Sequence, residues 1–274
     1  MVGQIVKIIS NDYFISYNNK EYLCKARGKF KNDNIIPKVG DYVIFNKDDK
    51  VIEKILPRKN ELDRPFVSNI DRAFIVTSLK SPDFSTNLLD KLLVICNLND
   101  IEPIICLTKK DLLTNTEFKD LKKIIKYYRS IGYKVVFNTN LFRIKRMFKG
   151  RTTVFTGQTG SGKSTLINKL SKDLNFETGE ISKSLGRGKH TTRTVTLVDV
   201  CGGKVLDTPG FSAIDLKGYS ELDIKSSFVE FKYFDCPYKD CNHIGERDCK
   251  VKMEVGKSIL KSRYDNYIKF IEKR

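Results

Sequence analysis

The sequence predicts a multidomain α/β protein: an N-terminal OB-like β-barrel, a central domain on a mainly parallel sheet, and a C-terminal helical domain built around a metal-binding cluster. Three observations predict it. Short alternating apolar runs crowd the first sixty residues, strand-like and amphipathic segments alternate from Asp71 onward, and three cysteines gather with a histidine near the C-terminus. The boundaries expected are 1–62, 63–218 and 219–274. With 274 residues, 40% hydrophobic and 30% charged, the chain has apolar content for more than one core and is neither collagen-like nor wholly disordered.

In the first segment GQIVKII, DYFISYN, KEYLCKAR, GDYVIFNK and KVIEKIL are separated by Asn, Asp, Gly and Pro, the spacing of strands in a small closed barrel. PRKNELDRPF, from Pro57 to Phe66, is charged, proline-bounded and without apolar periodicity, and reads as a linker. DRAFIVTSL, NLLDKLLVICNLND, IEPIICLT, FKDLKKIIKYYRSIG and YKVVFN then read as strand, helix, strand, helix, strand, the signature of βαβ units with ligands at the strand ends. TTVFTG, TVTLVDV and GKVLDT extend the sheet to about residue 210. The tail from Tyr219 has a helical pattern, and its last helix carries Ile259, Leu260, Tyr264, Tyr267, Ile268 and Ile271 as a core-packing face.

No run of 18 apolar residues occurs and the first twenty residues lack the features of a signal peptide, so a cytoplasmic protein with no membrane partner is expected. Cys24, Cys96, Cys106 and Cys201 read as buried small hydrophobes of a reduced chain. Fifty Lys and Arg against 33 Asp and Glu give a net charge of +17, which on charge alone attracts RNA, DNA or an anionic membrane.

Gly157-Gln158-Thr159-Gly160-Ser161-Gly162-Lys163-Ser164-Thr165 matches GxxxxGK[ST] between a strand and a helix. Glycines let successive N–H groups and the helix N-terminus surround a β-phosphate. Lys163 would reach the β/γ oxygens and Ser164 would ligate Mg²⁺. Asp207, Thr208, Pro209 and Gly210 follow the strand KVL about fifty residues later. Asp207 would hold the Mg²⁺ water shell and Gly210 would offer an N–H to the γ-phosphate, as in the third motif of GTPases. At the end of IEPIICL, Thr108-Lys109-Lys110-Asp111 resembles the [NT]KxD motif. Asp111 would accept the N1 and N2 hydrogens of guanine, Lys109 would lie along base and phosphate loop, and Thr108 would tie the loops together.

Here the base motif precedes the phosphate loop, whereas in Ras-like GTPases it follows. Because a sheet-end site depends on where loops meet in space, this order predicts a circularly permuted P-loop GTPase domain. The order TKKD, GQTGSGKST, DTPG, with a barrel-like N-terminus, the stretch GRGKHTTRT and a Cys/His tail, resembles the ribosome small-subunit-dependent GTPases of the RsgA (YjeQ) family over essentially the whole chain. The resemblance implies a GTP hydrolase acting on the small ribosomal subunit and its rRNA during late maturation, as a monomer.

SKSLGRGKHTTRTV lies where the first switch belongs, with Thr191 or Thr192 as the expected sensor of Mg²⁺ and γ-phosphate. Phe211 stands where many GTPases carry the glutamine that orients water. Hydrolysis is therefore expected to be slow alone and stimulated by the partner, with His190 as the candidate helper. In the tail, Cys236, Cys241, His243 and Cys249 form a C-x₄-C-x-H-x₅-C set of three thiolates and an imidazole, which suits a closed, structural tetrahedral Zn²⁺. Two other readings separate by experiment: a zinc-containing RNA-binding protein that uses GTP only as a binding switch, and an ATP-using enzyme that ignores Asp111.

Overall fold

The structure, a computed structural model, describes residues 1–27, 30, 35–62, 66–170, 195–207 and 216–272. Its first strands are β1 (Val2–Ile9), β2 (Asp12–Tyr17), β3 (Lys20–Ala26), β4 (Tyr42–Asn46) and β5 (Val51–Ile55), followed by the short pair β6 (Glu61–Leu62) and β7 (Val67–Ser68). Next come β8 (Arg72–Ser78), α1 (Thr86–Leu98), β9 (Glu102–Thr108), α2 (Asn115–Ser130), β10 (Lys134–Phe137) and α3 (Leu141–Phe148). β11 (Thr152–Thr156), α4 (Lys163–Leu170), β12 (Thr196–Val200) and β13 (Gly203–Asp207) precede α5 (Glu221–Ser226), α6 (Lys250–Met253) and α7 (Lys261–Glu272). Residue contacts divide the chain into two compact units. One holds Met1–Ala73, Asn140–Phe155 and Lys163–Phe211, the other Phe74–Thr139, Thr156–Gly162 and Ser212–Arg274.

In the first unit β1 pairs antiparallel with β2 and β2 with β3, β3 runs parallel to β5, β5 pairs with β4, and β4 returns to β1. That closed circuit is the expected OB-like barrel. Alternating side chains fill it: Ile5, Tyr13, Ile15, Cys24, Val43, Phe45 and Ile52 are buried inside.

The segment read as a linker is instead fastened to this unit. Asp41 is fully buried, and Arg58 grips it with Nε on Oδ1 and Nη2 on Oδ2, both at 2.8 Å, while Ser68 Oγ donates to Oδ1 at 2.6 Å. A buried carboxylate requires such partners, so residues that look solvated in sequence become a clasp. β6 and β7 pair antiparallel beside it.

The same unit carries the hairpin β12–β13, with β13 parallel to β11 and β12 meeting β1 at Thr196 and Lys7. Phe148 of α3 stacks on Phe155 of β11, ring centres 5.8 Å apart. Cys201 departs from its expected burial: it is half-exposed and its Sγ donates to Leu170 O at 3.3 Å. Cys24, Cys96 and Cys106 are buried as expected.

The second unit has strand order β10-β9-β8, with β9 and β10 parallel from Ile104 opposite Lys134 to Leu107 opposite Phe137. Phe74, Ile75, Val76, Ile104, Ile105 and Cys106 are all buried, the continuous apolar run of a strand covered on both faces. Ser85 caps α1 by accepting from Leu88 N–H, and Thr114 with Glu117 forms a capping box on α2. α7 packs on α1 through a charged core: Arg263, fully buried, places Nη1 2.7 Å from Asp90 Oδ1 and Nε 2.7 Å from Glu230 Oε1. Tyr128 donates to Asp90 at 2.6 Å and Asn266 donates to it at 2.7 Å. The buried face of α7 is therefore Arg263, Asn266, Tyr267, Phe270 and Ile271, rotated from the expected one, with Leu260, Tyr264 and Ile268 only partly covered.

Candidate nucleotide site and metal centre

β11 ends at Thr156, and the backbone of the next residues turns through Gly157, Gly160 and Gly162 at φ of 131°, 76° and 95° before α4 begins at Lys163. The Gly157 position admits no side chain, because a Cβ there would collide with the Val76 carbonyl. Ser161 N–H donates to Gln158 O at 3.1 Å, closing the turn. Thr156 Oγ1 and Ser161 Oγ are buried without a hydrogen-bond partner among the described residues. Unsatisfied hydroxyls flanking a loop of positive-φ glycines suit a phosphate, which would bring the acceptors they lack. Burial pulls the Lys163 ammonium below its ordinary pKa, a cost that an adjacent polyphosphate would reverse.

β9 delivers the base motif. Thr108 is buried, and its Oγ1 donates to Ser161 O at 2.7 Å, the expected tie between the two loops. Lys109 adopts a left-handed conformation at φ 58° and its Nζ donates to the Ser81 carbonyl, a contact with no signal in the sequence. Asp111 lies exposed in the 3₁₀ turn Lys110–Leu112. Lys110 turns to two rings instead, its Nζ 4.4 Å from the centre of Phe118 and 5.6 Å from that of Phe137. After β10, Asn138 N–H donates to Leu107 O, while Asn140 caps α3 by accepting from Arg143 N–H at 3.2 Å.

The backbone of Asp207 closes β13 opposite Thr196. His190, Thr191, Thr192, Thr208, Pro209, Gly210 and Phe211 lie outside the described residues. A cleft of about 830 Å³ opens beside the phosphate loop, lined by Ser81 to Asn87, Gln158 and residues of α7. Neither Ser161 nor Thr108 to Asp111 lines it, so it is distinct from the corner the two motifs share.

In the tail the four expected ligands converge: Cys236 Sγ, Cys241 Sγ, a ring nitrogen of His243 and Cys249 Sγ lie within 4.8 Å of one another. Cys249 Sγ is 3.4 Å and Cys236 Sγ 3.6 Å from His243 Nδ1, and the two sulfurs are 3.9 Å apart. Tetrahedral zinc, with bonds of about 2.3 Å to sulfur and about 2.0 Å to nitrogen, requires ligand atoms about 3.5–3.8 Å apart. The donor set and its spacing therefore fit a four-coordinate metal ion. Glu246 orders the connecting loop by accepting from Asn242 and Ile244 N–H, and α7 holds it from below, Tyr264 donating to His243 O at 2.6 Å and Tyr267 to Asn242 O at 2.5 Å. Burial depresses the His243 pKa, keeping the imidazole neutral and able to ligate.

A P-loop fold whose guanine-recognition motif comes before its phosphate loop, with a small barrel ahead of it and a Cys₃His cluster behind, defines a circularly permuted GTPase. The sequence profile of the RsgA GTPase matches residues 55–217 and that of the RsgA N-terminal domain residues 2–52, so the chain belongs to the RsgA GTPase family and is a GTP hydrolase. It is 44% identical to the small ribosomal subunit biogenesis GTPase RsgA of Pediococcus pentosaceus, covering 98% of this chain and 92% of that one. To the protein of the same name from Enterococcus faecalis it is 45% identical, over 98% and 94%. Among solved structures it resembles YjeQ from Thermotoga maritima at TM-score 0.88 and 32% identity, over 100% and 99% of the two chains. It also resembles YloQ, a circularly permuted GTPase, at TM-score 0.83 and 34% identity, over 99% and 94%.

Proposed function

We propose that this GTPase binds the small ribosomal subunit late in its maturation, hydrolyses GTP in response, and departs in the GDP state. The observation that carries this reading is the Thr108–Ser161 hydrogen bond, which joins base recognition to phosphate recognition in a chain matched almost end to end by small-subunit biogenesis GTPases. Asp111 selects guanine, Lys109 flanks the base, and Gly157 to Thr165 cradle the phosphates with Lys163 on the β/γ oxygens. Ser164 and Asp207 hold Mg²⁺, which when bound neutralises charge developing on the phosphoryl oxygens. Thr191 or Thr192 senses the γ-phosphate, and Gly210 offers it an N–H.

With Phe211 unable to orient water, His190 is the helper, and turnover waits for the partner. Residues 1–62 form an rRNA-binding barrel, 63–218 the GTPase domain and 219–274 a module in which Cys236, Cys241, His243 and Cys249 hold structural zinc. A net charge of +17 supports rRNA as the surface that the chain meets, and it acts as a monomer in the cytoplasm. No helix among the described residues is long and apolar enough to cross a membrane.

Co-sedimentation with purified small and large subunits tests the partner. Retention on small subunits with a non-hydrolysable GTP analogue and release with GDP is the expected result; equal retention on both subunits would leave only nonspecific attraction by charge.

A further inference from the structure

Helix α3 reads Leu-Phe-Arg-Ile-Lys-Arg-Met-Phe and buries Ile144 and Phe148 on one face. Its other face is Phe142, Lys145, Arg146 and, one step past the helix, Lys149, the i, i+3, i+4, i+7 set of a single stripe. Phe142 is 74% exposed, more than any other large apolar side chain among the described residues. The Arg146 guanidinium lies 5.8 Å from the centre of its ring. No carboxylate among the described residues pairs with Lys145, Arg146 or Lys149. The sequence around them is equally one-sided: residues 121–172 contain thirteen Lys or Arg and no Asp or Glu.

We infer that this stripe is a second RNA-docking surface, separate from the barrel, in which Phe142 and Arg146 stack an unpaired base while Lys145 and Lys149 hold the flanking phosphates. A solvated helix face in a chain with 33 acidic residues would carry some of them, and a lone phenyl ring held out to water gains nothing until a flat apolar partner covers it. Every base offers such a face, and aromatic-plus-arginine platforms bind single strands for this reason. An anionic bilayer fits poorly, because the apolar half of α3 is already spent on the core and leaves one ring to insert.

The test uses the full-length protein and a fluorescent single-stranded RNA of twelve uridines, with binding measured by anisotropy across salt concentrations. Phe142→Ala should weaken binding about tenfold with the salt slope unchanged, as expected for a lost stack. Lys145→Gln/Arg146→Gln/Lys149→Gln should weaken it further and flatten the slope by about 2, at about 0.7 per phosphate contact on a single strand. A control with the same charge loss, Lys119→Gln/Lys239→Gln/Lys257→Gln, should lose markedly less. The inference is overturned if the two triple variants lose equally or Phe142→Ala binds as wild type. It is also overturned if the stripe variants lose binding only to phosphatidylglycerol vesicles. All seven positions are exposed, so melting temperatures should stay together. The same variants on purified small subunits keep this inference apart from the ribosomal reading: wild type failing to bind subunits sinks that reading, and the oligonucleotide result stands by itself.

Discussion

Thr108 Oγ1 donates to the buried Ser161 carbonyl at 2.7 Å, fastening the strand end that presents Asp111 to the turn that cradles phosphate. Loss of the donor leaves that carbonyl buried and unsatisfied, at a cost of about 1–3 kcal/mol. Thr108→Val should therefore weaken GDP binding, measured with a fluorescent nucleotide, by about tenfold, with Thr108→Ser restoring most of it. Equal affinity in Thr108→Val would mean that the two loops hold their places without the bond.

Asp111 supplies acceptors only, matching the two donors on the guanine edge. Asp111→Asn replaces one acceptor by a donor, so GTP binding should fall by more than about tenfold while xanthosine triphosphate, which offers a carbonyl at that edge, gains. A variant that keeps GTP and ignores xanthosine triphosphate would remove Asp111 from base recognition.

Arg263 satisfies two buried carboxylates at once, Asp90 on α1 and Glu230. Removing the cation strands both, and a broken buried pair costs about 3–5 kcal/mol. Urea denaturation should show Arg263→Met destabilised by about that amount, far more than Lys261→Met on the exposed Lys261–Asp265 pair of the same helix. Similar losses in the two variants would show that the network contributes no more than a surface contact.

The Cys₃His cluster should carry roughly one zinc per chain by elemental analysis, released when the thiols are modified. Cys249→Ser should lose the metal and lower the melting temperature, since α7 grips the ligand loop through Tyr264 and Tyr267. A metal-free wild type whose thiols all react freely would exclude the site.

The phosphate loop was legible because its requirement is local: consecutive residues must turn through positive φ at Gly157, Gly160 and Gly162, and few sequences can. The metal ligands were legible for a similar reason, four soft donors within fourteen positions. What escaped depends on partners far along the chain. Arg263 sits in KSRYDNYIKF, which reads as a solvated helix, and only Asp90, 173 residues away, with Glu230, Tyr128 and Phe228 makes that position a core. Arg58 reads as linker until Asp41 is found beneath it. Lys110 falls inside a nucleotide motif, yet Phe118 and Phe137, from other elements, take its ammonium.

Turnover of GTP by the purified protein, alone and with small subunits, large subunits or ATP substituted for GTP, tests the central claim most directly. The account predicts slow hydrolysis alone, strong stimulation by small subunits only, no turnover of ATP, and loss of both basal and stimulated rates in His190→Ala with GTP affinity kept. Unstimulated hydrolysis with every subunit, or equal use of ATP, would contradict it.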